Sequence, residues 1–365
     1  NTSSSMEASV TIIKRPATDM FTLVNGANYV VNLVNTKGAM GAGLGKEFRD
    51  RFPKMYDRYL LACQENKLHI GHMMLWNDPS VNYGILNLPT KSYYADANDF
   101  ELIRKALGAL QRFLETKENR YATVVMPMLG GGDAEDYAKI EKMIYDHLDP
   151  LDAVVTLSCH PDKLGYVPKF LGFSGPRVWA KKQLFGTIPP WRDTPYTEDD
   201  YQREYAYVEK AFLDALKLWG PTPQDFDAFI SGGAHGVDTV ACGSSRTDPS
   251  FAESLAKKYS PHEPAIIHAD WDRHGRAAGM IRNRYMGEIM THAIVIRPDG
   301  VTSIGTTGMA RWLQTWNAKH PIGTLLYKPT FIAGNNDLSA RTDHSIMIER
   351  NEKTQVLEDD DRIPF

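Results

Sequence analysis

Residues 31–53 read VNLVNTKGAMGAGLGKEFRDRFP. Tyr29–Asn35 is a short run of β-branched and aromatic residues and predicts a strand, while Lys46–Phe52 predicts a helix. The loop between them carries Gly38, Gly41 and Gly43. Glycine allows the backbone to come within hydrogen-bonding reach of a ligand, and the amides that open the next helix face an anion. A second turn of this kind, LGGGD over Leu129–Asp133, also lies between a strand and a helix. Two glycine turns at the same strand ends of one sheet suggest a ligand with two phosphates lying across the crevice there. The same spacing also serves ordinary tight strand-to-helix turns.

Outward from that loop, strand-like and helix-like segments alternate. Val10–Ile13, Phe21–Val24, Tyr83–Leu88, Ala122–Met126 and Ala153–Leu157 predict strands, the last two as runs buried on both faces. Met55–Glu65, Asn98–Glu118 and Ala138–Leu148 predict helices; in the second of these Phe100, Ile103, Leu107, Leu110 and Leu114 recur at threes and fours. Such alternation is that of an α/β sandwich. Pro161–Pro168 reads as a hinge, and a second series follows it. Strands are expected at Lys169–Phe173, Ala228–Ile230, Ala265–His268, Ala293–Ile296 and Thr324–Tyr327, and helices at Glu204–Trp219, Arg276–Met290 and Thr307–Lys319. The charge-rich end, NEKTQVLEDDDRIPF, reads as a solvated tail. The expected division is therefore a start at 1–8, a domain over 9–160, a linker over 161–168, a second domain over 169–330 and an extension over 331–365.

The bulk properties bound the function. A chain of 365 residues suggests two ordinary domains, and 42% hydrophobic with 24% charged residues is a globular mix. Forty-one basic against 45 acidic residues leave a net charge of −4, which argues against coating nucleic acid along the whole surface but leaves room for a local basic groove. Lys37, Lys46, Arg49 and Arg51 could hold a phosphate backbone or form a solvated helix face. Cys63, Cys159 and Cys242 are far apart, so neither a disulfide framework nor a zinc site is expected. His235, His268 and His274 are scattered and read as polar loop residues, not as metal ligands. Asn1–Ser5 ahead of Met6 reads as an added remnant and no apolar run approaches the roughly 20 residues of a membrane span, so a cytoplasmic protein is expected.

Several separated motifs then agree. VNLVNTKGAMGAGLGKEFRDRFP, IGHMMLW (70–76), YGILNLPTKSYY (83–94) and VVMPMLGGGD (124–133) together resemble a macrodomain, more narrowly that of the DarG antitoxin branch, which removes ADP-ribose from DNA or acidic side chains. The resemblance runs over roughly residues 9–158. It implies a three-layer α/β/α sandwich on a mixed sheet, and ADP-ribose as ligand or product. It implies Asp19, in TDMF, at the adenine amino group, and Asn35 at the distal ribose. Gly38, Met40, Gly41, Ala42, Gly43 and Leu44, with Thr90 and Gly130, Gly131 and Gly132, would wrap the pyrophosphate and distal ribose. Lys91 matches the catalytic lysine of this branch. A neutral amine can attack the anomeric carbon of an opened ribose, and a nearby carboxylate can shuttle the proton. Asp133 is the candidate acid and Asp136 the alternative. The lysine route needs no metal or other cofactor.

In the second half, SGGAHGVD (231–238) follows a strand and precedes a helix, which is the layout of an anion cradle. With FSGPR (173–177), ADWDRHGRAAGMIRN (269–283) and SIGTT (303–307), it resembles the SLOG superfamily of Rossmann-like nucleotide-sensing domains, kin to the lonely-guy and DNA-processing-protein folds. The resemblance implies a mainly parallel sheet and a nucleotide site lined by Ser174, Arg177, Gly232, Gly233, His235, Asp238, Arg282, Asn283, Gly305 and Thr306. Phosphoribohydrolases of this superfamily follow their glycine-threonine turn with a catalytic glutamate. Here the turn runs GTTGMAR (305–311) without an acid, and a carboxylate is needed to stabilise an oxocarbenium-like transition state, so binding is expected in this half. Such domains often pair, which leans towards a homodimer.

The two resemblances together imply an ADP-ribosyl hydrolase that acts on a modified macromolecule, thymidine in DNA being favoured, with a second nucleotide-binding domain. The alternative is a binder that sequesters or senses an NAD-derived signalling nucleotide without turnover. Either belongs to toxin–antitoxin or phage–host conflict, in the host-cell cytoplasm if the gene is a phage's.

Overall fold

The computed structural model describes residues 11–129, 134–176, 198–234, 236–243, 253–297, 303–317, 323–327 and 345–348. These residues form two six-stranded sheets, one in each half of the chain.

The first sheet runs β1 (Ile12–Pro16), β6 (Val154–Cys159), β5 (Thr123–Pro127), β2 (Tyr29–Asn35), β4 (Gly84–Lys91), β3 (Met74–Asn77). Neighbours are parallel except β3 against β4, so the sheet is mixed. Helices α1 (Gly43–Arg51) and α2 (Pro53–Gln64) cover one face, and α3 (Phe100–Leu114) and α4 (Ala134–Leu148) the other. Strand alternation divides the core: Tyr29 and Val31 pack with Leu107, Leu110 and Ile144, whereas Val30 and Val34 pack with Phe48, Met55 and Tyr59. The result is a three-layer α/β/α sandwich on a mixed sheet. One expected strand is corrected. Phe21–Val24 lies instead in a 3-10 turn, Met20–Leu23, because the Asp19 side chain at the N-cap accepts the Phe21 amide at 2.8 Å.

The second sheet runs β9 (Ala265–Ile266), β8 (Ala228–Ser231), β7 (Phe170–Ser174), β10 (His292–Ile296), β11 (Gly323–Tyr327), β12 (Ser345–Ile348). All pairs are parallel except β11 with β12. The chain winds outward from β7 through β8 and β9, returns to β10 on the other side of β7, and so reverses direction between β7 and β10. The extension expected after 330 thus contains the edge strand β12. After the four-residue α5 (Pro161–Leu164), this half contains α6 (Glu198–Trp219), α7 (Val237–Cys242), α8 (Leu255–Tyr259), α9 (Trp271–His274), α10 (Ala278–Ile289) and α11 (Ile304–Asn317). Helices α6, α7 and α8 cover one face with Val208, Phe212, Val240 and Leu255. Helices α10 and α11 cover the other.

The second of those cores is shared between the halves. Ile13 of β1 and Val154 of β6 join Tyr285, Met286 and Ile289 in one apolar cluster, and every residue from Tyr285 to Met290 is buried. Helix α10 is therefore wedged between the two sheets by its C-terminal end, where buried positions on every side replace the single apolar stripe of a surface helix, while Met280 and Arg284 nearer its start are exposed. The Tyr285 hydroxyl lies 2.6 Å from that of Thr156 on β6. Residues around α9 complete the joint. Arg273 donates to the Tyr29 hydroxyl (2.6 Å) and to Asn119 Oδ1 (2.7 Å), the Asn28 side chain lies 3.0 Å from His274 Nε2, and Tyr121 packs on the His268 ring. The segment expected as a hinge leads into a docked interface.

Candidate functional site

Strands β2, β4 and β5 end at the same edge of the first sheet, and the crevice lies there. The loop after β2 is held by its own first residue. Asn35 Oδ1 accepts the amides of Lys37 (2.9 Å) and Ala39 (3.2 Å), and Asn35 Nδ2 donates to the Ala39 carbonyl at 2.7 Å. This side chain closes a local turn that the backbone would otherwise have to solvate. Tyr59 of α2 donates to the Asn35 carbonyl at 2.7 Å, and burial pushes its phenol well above the ordinary range, so it remains a donor. Gly38 has φ +83°, and a Cβ built there would lie 2.6 Å from Leu60 Cδ1, so the turn requires glycine. Three residues on, the crowding stops: a Cβ at Gly41 or Gly43 meets nothing within 4 Å. Ala42 is the N-cap of α1 and offers no side-chain acceptor, so the helix's opening amides remain available to an anion. Met40 is buried in the core beneath, and Leu44 is half-buried.

Lys91 lies directly across from that loop. The parallel register of β2 and β4 shifts between Val34 and Asn35, so that Asn35 pairs with Lys91 and Thr90 is skipped. The Thr36 amide bonds the Lys91 carbonyl at 3.2 Å. Thr90 and Lys91 line a cleft of about 590 Å³ that continues along Asp96, Asn98 and Phe100. Lys91 Nζ donates to the Asp96 carbonyl at 2.8 Å and is half-buried. Asp136, in the first turn of α4, accepts from Asn98 Nδ2 at 3.1 Å, which brings this carboxylate to the cleft wall. Asp133 and Gly130, Gly131 and Gly132 lie outside the described residues. Asp19 stands apart from the cleft lining, its carboxylate 3.6 Å from Arg51.

No family model matches the chain. Over 128 residues it is 28% identical to a DNA ADP-ribosyl glycohydrolase of Thermus aquaticus, covering 34% of this chain and 35% of that protein. Over 132 residues it is 30% identical to a DNA ADP-ribosyl glycohydrolase of Mycobacterium tuberculosis, covering 34% of this chain and 37% of the relative. The chain thus spans little more than a third of either relative's length. The first domain is similar to the DarG macrodomain. A solved structure of the macrodomain of Thermus aquaticus DarG aligns with 41% of this chain and 98% of its own, at 24% identity and a TM-score of 0.37.

Within the macrodomain-like half, motif reading missed the groups that support the site. Asn32 Nδ2 donates to Asn87 Oδ1 at 2.8 Å across β2 and β4, with both side chains wholly buried beneath the loop and Asn32 Oδ1 unpartnered. Two polar residues at positions expected to be apolar were the available signal. Of the cations near the loop, Lys46 and Arg49 pair with Asp50, and Arg51 lies over the Phe21 ring. They form a surface helix face; Lys37 is exposed on the loop itself.

In the second sheet, the turns at the strand ends beside the reversal point bring four of the expected residues together, Gly232, Arg282, Asn283 and Gly305. Arg282 Nη1 donates to the carbonyls of Gly232 (2.5 Å) and Ile267 (3.2 Å), its Nε to Asn283 Oδ1 (2.8 Å), and Asn283 Nδ2 to the Gly305 carbonyl (3.2 Å). Asp238 accepts the Ala234 amide at 3.2 Å, and the Thr306 amide is bonded to Ser303 Oγ at 3.3 Å. Gly233 has φ +65°, and a Cβ at Gly232 would overlap the Arg282 guanidinium. Ser174 is half-buried at the end of β7. Arg177 and His235 lie outside the described residues. ADWDRHGRAAGMIRN therefore splits: Arg282 and Asn283 tie the strand-end turns together, while Arg273 and His274 hold the joint between domains. Among the described residues no three metal-ligating side chains converge, and no helix is long and apolar enough to cross a membrane.

Proposed function

We propose that the first domain hydrolyses the bond between ADP-ribose and a macromolecule, thymidine in DNA being the favoured acceptor, with Lys91 as nucleophile. The observation that carries this reading is the shifted register that sets Lys91 opposite Asn35, beside a loop whose open glycines and uncapped helix amides suit a pyrophosphate. The relatives' names supply the chemistry. The amine would add to the anomeric carbon, the base would leave with a proton from Asp133 or Asp136, and water would then release ADP-ribose and restore the amine. No metal or cofactor takes part in this route. The second domain would be a Rossmann-like module of the SLOG type that binds a related nucleotide, a reading supported by its strand order and by a crevice at the point where that order reverses. A homodimer through this domain and a cytoplasmic setting complete the proposal. The test is incubation of the full chain with an oligonucleotide carrying ADP-ribosylated thymidine, with free ADP-ribose followed by chromatography. Release that is lost in Lys91→Ala supports the enzyme, and release at the wild-type rate overturns the lysine mechanism. A binder without turnover is favoured by one contact, the bond from Lys91 Nζ to the Asp96 carbonyl, which engages the amine. Tight retention of ADP-ribose with no release would establish it.

A further inference from the structure

The turn that holds the Lys91 amine also displays two tyrosines. Tyr93 and Tyr94 are 44% and 64% exposed, and their ring centroids lie 4.4 Å apart with planes at 47°. Asp96 fastens the turn at Tyr93, against whose ring Tyr94 packs: its carboxylate accepts the Tyr93 amide at 2.8 Å and its own amide bonds the Tyr93 carbonyl at 3.2 Å, while its carbonyl receives Lys91 Nζ. The aromatic pair is thus held at a fixed offset from the amine, on the lip between Ser92 and Asp96, both of which line the cleft. Aromatic rings ordinarily bury most of their area, and a paired, anchored and exposed set offers a π-face to a planar partner. The acids on this lip are already engaged. Asp99 caps α3, Glu101 pairs with Arg104, and Asp96 closes the turn. On the other side of the turn, Thr36 bonds the Ser92 carbonyl at 3.2 Å and carries exposed Lys37 next to it.

We propose that Tyr93 and Tyr94 form a stacking platform for the base next to the modified nucleotide in single-stranded DNA. The inference rests on the reading that the Lys91 cleft takes ADP-ribose attached to a nucleotide. A nucleotide whose appended ADP-ribose fills a crevice is drawn out of the stack along its strand, which leaves its neighbour free to find a new partner. Stacking on an aromatic side chain supplies that partner whatever the base. The platform makes the oligonucleotide, rather than the modified nucleoside alone, the preferred substrate.

The test uses the full chain in a Lys91→Ala background, which holds substrate without turnover. Fluorescence anisotropy compares binding of a single-stranded oligonucleotide carrying one ADP-ribosylated thymidine with binding of the modified nucleoside, and calorimetry follows free ADP-ribose. Tyr94→Ala is expected to weaken oligonucleotide binding about ten- to hundredfold, the range for one lost base stack. It should leave nucleoside and ADP-ribose affinities within about twofold of the parent, the range expected of a ring that touches neither. Tyr94→Trp should retain the oligonucleotide affinity. Equal losses for oligonucleotide and nucleoside, or no loss for either, overturn the platform, as does unchanged affinity when the flanking positions are abasic. Absence of ADP-ribose binding by the wild-type chain overturns the reading beneath it and the platform with it. Binding with the expected pattern but no release by the wild type removes only the hydrolase.

Discussion

The two strand-end crevices are built from the same parts and left in different states. In the first, the loop is closed by Asn35 and Gly38 at its base, and the glycines further along face empty space. In the second, Arg282 crosses the turn and bonds the Gly232 and Ile267 carbonyls, so the place beside the glycines holds a guanidinium. A crevice whose amides face solvent accepts a ligand without rearrangement, whereas one spanned by its own arginine trades internal bonds for bonds to the ligand. The wall that carries Arg282 is also the helix wedged against the first domain, so the state of the second crevice and the docking of the halves share one element.

The sharpest way to break this comparison is at the first crevice. Lys91→Ala should lower the rate of ADP-ribose release on the order of a thousandfold while ADP-ribose affinity changes little. Single-turnover kinetics beside calorimetry would separate the two, and a parallel fall in affinity would make Lys91 a binding residue.

The shared helix comes next. Glu288 is 2% exposed on α10, and burial pushes its carboxyl up to about 7 against the opposing pull of Arg284 and Arg15. The folded state therefore holds the proton more tightly than the unfolded chain does. The stabilisation is complete below about pH 4.5 and is lost as pH rises through about 7, a change of about 3 kcal/mol. Denaturant melts between pH 5 and 8 should show this slope in the wild type and a flatter one in Glu288→Gln.

Smaller effects sharpen the contrast in the loops and the joint. Gly38→Ala places a side chain at positive φ against Leu60 and should cost about 1–3 kcal/mol, read as a lower melting temperature. Gly41→Ala, at an open position, should leave stability nearly unchanged but weaken ADP-ribose binding. Tyr285→Phe removes the hydrogen bond to Thr156 and should cost about 1 kcal/mol, again visible in the melting temperature.

Much of the fold is legible in the sequence wherever a local signal and the tertiary outcome coincide. Tyr29–Asn35 is a strand at the expected bounds, and the apolar spacing in Asn98–Glu118 marks the buried face of α3. The signal fails where a short contact decides. Phe21–Val24 has strand-like composition, yet one carboxylate at Asp19 turns it into a 3-10 turn. Met74–Asn77 alternates over only four residues at a sheet edge, too briefly to stand out. The candidate site divides in the same way. Lys91 and the glycine loop announce themselves through residue type, but the register shift that brings Lys91 opposite Asn35 is a property of two strands, not of either alone. The roles of His268 and His274 depend on Tyr121 and Asn28, more than 140 residues away in the chain, and no local pattern encodes such a pairing.

Helix α10 belongs to two cores at once, since Tyr285 and Ile289 pack with Ile13 and Val154 as well as with Ala293 and Val295. Neither half is a cassette. Grafting the amino-terminal half onto a foreign partner would strip the cover that this helix gives Ile13 and Val154, and any substitute would have to match both surfaces together. The fusion is in that sense irreversible: once one helix serves two sheets, the halves are bound to drift as a pair.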